Sequence, residues 1–426
     1  MTLAAANSTD ADPDHQWAAL QRRTMTTLRL GQVPTQAAVA GVVAVVGLLA
    51  KDMLGSDRLA GSGSAAMTFG SAVLAVPVAA YMRRRGRRRG LATALAIGIA
   101  GASLAATGGQ LRWFWLFLVG MAGLGGAQLA SLQARYVAAD LAPSHHRARA
   151  IAGIVWVGTL GAIFGPVLTP EEKKVGEWLG LDPLVGPYLF AAAFLVVAFV
   201  VVVARLRPDP LEVNGQLDPG AQRVNPFRQV GSSLRVVAAS PLAPLGLAAM
   251  VISQAVMVAV MTMTAPHMKD HGHGDLSAYV IALHIVGMYF FAPWVGMFVE
   301  RVGHIRAVMV GAVVMGMGTV TAVVAGYVPA LIFVGLWLLG LGWNVGLIAG
   351  SAILTTAVPE SSRVEVQGTA DLTMSFCGGA AAFSSGFIKA AWGYHLLADA
   401  ATVVAGALLL LAYVQHLRAG RRPLPA

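Results

Sequence analysis

The sequence predicts an all-α polytopic membrane protein, with 12 transmembrane helices arranged as two pseudo-symmetric six-helix bundles. Three observations carry that prediction. Of the 426 residues, 57% are apolar and only 12% charged. Twelve apolar runs are each long enough to cross a bilayer, and turn residues recur at a nearly constant offset between the two halves. An ordinary soluble domain carries about 25% charged residues. Disorder is excluded by the hydrophobicity, and the 49 glycines follow no three-residue period, so the chain is not collagen-like.

Residues 1–31 hold Asp10, Asp12, Asp14, Arg22, Arg23 and Arg29 without an apolar core, and read as a cytoplasmic polar tail with no secretory signal. A helix of about 20 apolar residues crosses the hydrocarbon layer. Six such spans fall near 32–54, 62–82, 91–108, 113–137, 149–168 and 186–206, giving an N-terminal bundle over 32–206. The stretch 207–240, rich in Pro, Asp, Asn and Arg, reads as a cytoplasmic linker. Six more spans, near 241–265, 277–300, 306–326, 329–356, 365–389 and 393–417, make a C-terminal bundle over 241–418, followed by a short tail, 419–426. The single cysteine, Cys377, excludes an intramolecular disulfide.

Sidedness follows from the basic residues. With the N-terminal tail placed in the cytoplasm, 23 of the 30 Lys and Arg fall on that side. Both termini are therefore expected in the cytoplasm, and the net charge of +10 is an orientation signal that gives no reason to expect a nucleic-acid partner. The halves also repeat. Pro143 precedes Arg147 as Pro359 precedes Arg363, and Gly86 corresponds to Gly303. Duplicated halves with a site between them are the architecture of rocking secondary transporters.

The loop after the second span reads Met82-Arg-Arg-Arg-Gly86-Arg87-Arg88-Arg89, and its second-half copy holds Gly296, Glu300, Arg301, Gly303 and Arg306. Glycine permits a tight turn, while arginines hold helix C-terminal carbonyls and nearby carboxylates. On these residues the chain resembles the major facilitator superfamily over nearly its whole length, 32–417. The family's loop signature is Gly-x-Leu-x-Asp-Arg-x-Gly-Arg-Arg. The first copy here matches only the latter part, with Arg83 standing where the Asp should be. The resemblance implies that Gly86, Arg87, Arg88, Glu300, Arg301, Gly303 and Arg306 belong to a latch that stabilises the outward-facing state. Arg135 and Asp140 resemble the family's cytoplasmic gating charges. Gly161-x-x-x-Gly165-Pro166 is a shortened form of an exporter motif, and the arginine that proton-driven exporters carry in the fourth span is absent, with Val119 near its place.

Ten of the 17 methionines lie between Met250 and Met317. Met257 and Met261 share one face of the seventh span, and His284 and Met288 share one face of the eighth, each pair at i, i+4. Thioethers with an imidazole form a soft, low-charge donor set that suits Cu(I). Methionine also packs irregular helix contacts, whereas a histidine inside the hydrocarbon layer is a functional candidate by default. These residues resemble the CcoA-type bacterial copper importers, a branch close to riboflavin transporters. That likeness implies a substrate and metal site of Met257, Met261, His284 and Met288. His267 and His271, also at i, i+4, are candidate collectors of metal at the outer mouth, set against the plain reading of solvated loop histidines.

Asp371 lies inside the eleventh span. A bare carboxylate there costs roughly 2.5–3.5 kcal/mol on insertion scales, so it must be protonated, paired or facing water. It is the candidate proton-coupling group, and the alternative is a structural partner for Arg363 or Arg135. No phosphate loop and no His-Glu-x-x-His sequence occurs, so no enzyme and no cofactor is expected. The expectation is a monomeric, multi-pass secondary transporter of a bacterial cytoplasmic membrane, moving a small solute. The leading cargo is copper or a copper-bearing small molecule taken inward. The alternatives are proton-coupled movement of an organic solute such as a drug, vitamin or metabolite, and a non-transporting membrane receptor.

Overall fold

The computed structural model describes residues 13–54, 61–220, 225–273, 276–325 and 328–420, and every regular element among them is helical. In chain order these are α1 (Pro13–Leu54), α2 (Ser62–Arg85), α3 (Arg87–Gln110), α4 (Phe114–Asp140), α5 (Arg147–Trp178), α6 (Gly186–Arg205), α7 (Pro210–Val213) and α8 (Pro226–Ala239). The second half adds α9 (Ala243–Asp270), α10 (Ser277–Tyr289), α11 (Ala292–Val302), α12 (His304–Val324), α13 (Pro329–Thr356) and α14 (Glu360–Gly420). Among the described residues ten helices are long and apolar enough to cross a membrane, and α10 and α11, bent by 41° at a short break, together make one more crossing. At 61 residues α14 is about 90 Å of helix, three times the hydrocarbon thickness. Gly393, at φ +84, breaks it into two crossings, which brings the total to the expected 12.

Two segments differ from the sequence reading. Residues 1–12 and 421–426 lie outside the described residues, but 13–31 are not a tail, because α1 starts at Pro13. The reason is amphipathicity: Thr24, Met25, Leu28 and Gln32 recur at helical spacing and are buried. The stretch 207–240 likewise contains α7 and α8. Each opens on an Asx cap, the Asp209 carboxylate accepting from Leu211 N–H and the Asn225 carbonyl from Phe227 N–H.

Small residues set the helix spacing within each half. A Cβ at Gly70 of α2 would fall on the Ala122 carbonyl of α4, and one at Gly318 of α12 would stand 2.7 Å from the Gly335 carbonyl of α13. The apolar side chains form two cores. One is drawn from α1 to α7 with Val364 added. The other is drawn from α8 to α14, with Tyr136, Ala139, Ala148, Ile151, Ala152 and Val155 of α4 and α5 joining it. The start of α1 and the end of α14 share one face, here termed the terminal face: Gln21 donates to the Ala138 carbonyl, and Arg418 lines a cavity with Ser240 and Ala357. Val196, Val197 and Val200 of α6 are exposed, as a bilayer-facing helix requires.

Candidate functional site

At the terminal face α2 gives way to α3 at Gly86 (φ +93), and α11 gives way to α12 at Gly303 (φ +86). Each break is a conformation that L side chains rarely adopt, and the two stand at equivalent points of the halves. Gly86 also leaves room for a carboxylate. Asp209 accepts from the N–H groups of Arg87 and Arg88, at 3.1 and 2.8 Å, and so satisfies the first turn of α3. A Cβ on Gly86 would collide with that carboxylate. The acidic group missing from the loop is thus supplied from beyond α6.

Arg87 does not lie in the surface cluster of arginines around it. Its side chain is fully buried and forks onto Asp140, Nε to Oδ2 at 2.8 Å and Nη2 to Oδ1 at 3.2 Å. It also donates to Gln133 Oε1 at 3.3 Å and crosses to the other half at Gln367 Oε1, 2.7 Å away. Gln133 Nε2 in turn donates to Asp371 Oδ2 at 2.9 Å. Arg135 closes the network, its Nη2 2.5 Å from Asp371 Oδ1 and its Nε donating to Ser351 Oγ at 3.1 Å. Asp371 is therefore paired with Arg135; Arg363 pairs with Glu360 on its own helix. A buried ion pair of this kind adds little net stability, but breaking it by removing one partner is strongly unfavourable.

Around the buried network lies a ring of further contacts between the halves. Arg83 bridges Glu365 at 2.7 Å and Asp218 at 3.0 Å, and Arg147 donates to the Thr355 carbonyl. Glu300 forms an ion pair with the Arg149 side chain at 2.5 Å and accepts from the Arg149 backbone N–H at 2.9 Å, at the first turn of α5. One helix turn from Glu300, Gly296 lets α11 close on α5, where an added Cβ would stand 2.6 Å from Ala152 Cβ. Arg301 and Arg306 lie exposed beside this contact. The terminal face is closed by charge and by close helix approach together.

The soft donors sit in the second half. His284 is fully buried on α10, and its Nδ1 lies 2.7 Å from the Leu336 carbonyl of α13. A carbonyl only accepts, so Nδ1 carries the proton, while Nε2 is buried without a hydrogen-bond partner among the described residues. Gly340 makes room for this ring, since a Cβ there would stand 3.1 Å from His284 Nδ1. Met288 and Met257 are buried and Met261 half-buried within the same core. Near by, Trp343 donates to Gln254 Oε1 at 2.7 Å and meets Tyr289 edge to face.

His267 is not a solvated loop residue. The last turns of α9 carry it, 4% exposed, stacked on Tyr394 with ring centroids 4.3 Å apart. His271 lies 4.4 Å from the same ring and His395 lies 6.2 Å from it. Among the described residues no group of three His, Cys, Asp or Glu side chains is arranged to hold a metal ion. Sequence reasoning missed Gln133, Ser351, Gln367 and Asp209. Gln367 stands at i, i+4 from Asp371 and Gln133 at i, i+7 from Asp140, so polar stripes on apolar helices were the available signal.

Two-half architecture with a charged closure at one face describes a transporter, and comparison with known families decides which kind. The family model described as Major Facilitator Superfamily matches residues 30–287. The chain belongs to the Major Facilitator Superfamily. Across that superfamily it is 35% identical over 398 residues to YddS of Bacillus subtilis (strain 168), an uncharacterized MFS-type transporter, covering 93% of this chain and 91% of that one. It is 27% identical over 390 residues to the riboflavin transporter RfnT of Brucella anthropi, covering 87% and 92% respectively. The fold matches the human organic anion transporter MFSD10 with a TM-score of 0.77 at 16% identity, over 92% of this chain and 99% of that one. This Major Facilitator protein is a secondary transporter of small solutes and not an enzyme.

Proposed function

We propose that this transporter works by alternating access, its halves 32–206 and 241–418 rocking about a central solute site, and that it carries copper or a copper-bearing small molecule inward. In this reading the terminal face is cytoplasmic, the network of Arg87, Gln133, Arg135, Asp140, Gln367 and Asp371 is its closed gate, and Asp371 is the proton-coupling group. One observation supports the cargo above all: the bare Nε2 of His284, fully buried and held in one tautomer by the Leu336 carbonyl. That is how a metal-ligating imidazole is oriented. With Met288 one turn away and Met257 and Met261 on α9, the donor set is soft and uncharged, as Cu(I) prefers. The resemblance of these four residues to CcoA-type importers points the same way.

The test is cellular copper, measured in a strain lacking the transporter, in a strain expressing it, and in strains expressing His284→Ala or Met288→Ala. Copper rises with the wild type and falls back with either variant. Equal copper in all four strains removes copper as the cargo and leaves the transporter fold untouched.

A second reading, uptake of a flat organic solute, is favoured by the likeness to a riboflavin transporter and by the group Gln254, Trp343 and Tyr289, which offers an amide beside two aromatic faces. Riboflavin uptake in the same strains discriminates. A rise that His284→Ala leaves intact and Trp343→Ala abolishes supports this second reading.

A further inference from the structure

The linker helix α8 leaves large apolar side chains uncovered on its outward face. Its inward face puts polar groups beside the apolar Val237: Gln229 and Ser233 are each 3% exposed, and Gln229 Nε2 and Ser233 Oγ are buried without a hydrogen-bond partner among the described residues. Its outward face carries Phe227, 87% exposed, and Leu234, 40% exposed. Phe227, Gly231, Leu234 and Ala238 follow one another at three- and four-residue steps, forming one apolar stripe along the helix. Arg228 and Arg235 flank that stripe, and neither is in an ion pair with a described residue.

The stripe ends in a cavity. Ala238 is shared with an opening of about 690 Å³ between the end of α8, the start of α9, the first turn of α12 and the end of α14. Its walls include Leu242, Pro244 and Ile305, and its polar groups are Ser240, Gln415 and Arg418. Among the described residues no Asp or Glu lines it, so the guanidinium of Arg418 meets no opposing charge from them there. An apolar wall beside an uncompensated cation, at the level where α9 and α12 begin their crossings, fits an amphiphile with an anionic head.

We propose that the outward face of α8 and this cavity bind an anionic phospholipid of the leaflet at the terminal face. The phosphate lies against Arg418 and Gln415, an acyl chain runs along Leu242, Pro244 and Ile305, and Phe227 and Leu234 sink into the same leaflet with Arg228 and Arg235 at headgroup level. The helix is thereby an interfacial one, which explains why Phe227 and Leu234 face away from the protein. This assignment stands apart from the choice of cargo.

The test uses the full chain, reconstituted in nanodiscs of equal parts phosphatidylcholine and phosphatidylglycerol and then examined by native mass spectrometry after release into detergent. The wild type retains phosphatidylglycerol over phosphatidylcholine by about tenfold, in line with the attraction of juxtamembrane arginines for anionic lipid. Arg235→Gln with Arg418→Gln removes the preference, and Phe227→Ser reduces it, while elution volume and melting temperature show that both variants are folded. Equal preference in the wild type and the double variant overturns the proposal. Loss of the bound lipid when the buffer is inorganic phosphate overturns it too, because the site is then one for a free anion. Retention in phosphate supports the lipid.

Discussion

Arg135 on α4 reaches across the two halves to Asp371 on α14, its Nη2 2.5 Å from the carboxylate, with both side chains closed to water. Each charge is tolerable in the bundle interior because of the other. Arg135→Met therefore leaves Asp371 buried and unpaired, and stability falls by about 3–5 kcal/mol. Arg135→Met combined with Asp371→Leu recovers most of that loss. Melting temperatures of the four proteins in one detergent give the coupling directly, and additive losses would show that the pair does not act as a unit.

Asp371→Asn tests the proposed coupling role on the same residue. The amide keeps hydrogen-bonding capacity toward Gln133 and Arg135 but binds no proton at any working pH. Uptake by this variant is expected to lose its dependence on an imposed proton gradient. Uptake that follows the gradient as in the wild type removes Asp371 as the coupling group.

Gly296 and Gly368 each allow a close approach of the halves at the terminal face, against Ala152 of α5 and Ala79 of α2. Gly296→Leu overpacks one of them, and overpacking of a tight contact costs about 1–3 kcal/mol. Only the conformer closed at this face bears that penalty. In a Cys377→Ser background, a cysteine placed at Ser351 should react with a thiol reagent about tenfold faster once Gly296→Leu is added. An unchanged rate would mean that the contact does not control opening.

Gly340 offers a way to disturb His284 without touching a metal donor. Gly340→Val pushes a side chain into the space beside Nδ1 and the His284 carbonyl. Copper uptake should fall by about tenfold or more, the usual effect of disturbing the groups that orient a ligand. A folded Gly340→Val protein with normal uptake would separate His284 from transport.

Asp209→Ala removes the carboxylate that caps α3 at Arg87 and Arg88, a loss of about 0.5–2 kcal/mol. Gly86→Ala should be worse, since it adds strain at φ +93 and a collision with Asp209. Thermal unfolding ranks the two, and a neutral Gly86→Ala would contradict the structure.

The crossings were legible in sequence because bilayer thickness imposes a length on apolar runs, and nothing else in this chain has that period. The repeat was legible because Gly86 and Gly303 each occupy a conformation few other residues adopt. Partnership was harder to read. Arg87 stands among five neighbouring arginines, and only the tertiary fold shows that it alone turns inward to Asp140. Asp209 lies 122 and 121 residues from the two N–H groups it caps, separations that no local pattern encodes. The start of α1 was missed because polar residues on one face masked the buried stripe of Thr24, Met25 and Leu28.

The network proposed as the gate holds two guanidinium groups, Arg87 and Arg135, and two carboxylates, Asp140 and Asp371. Moving it as a unit through the membrane field does no electrical work, so its opening is blind to voltage. One proton on Asp371 leaves a net positive charge, and each elementary charge crossing the whole field is worth about 2.3 kcal/mol per 100 mV. Protonation would then confer voltage sensitivity on the conformational step itself, and the membrane potential would act on the gate as well as on the cargo.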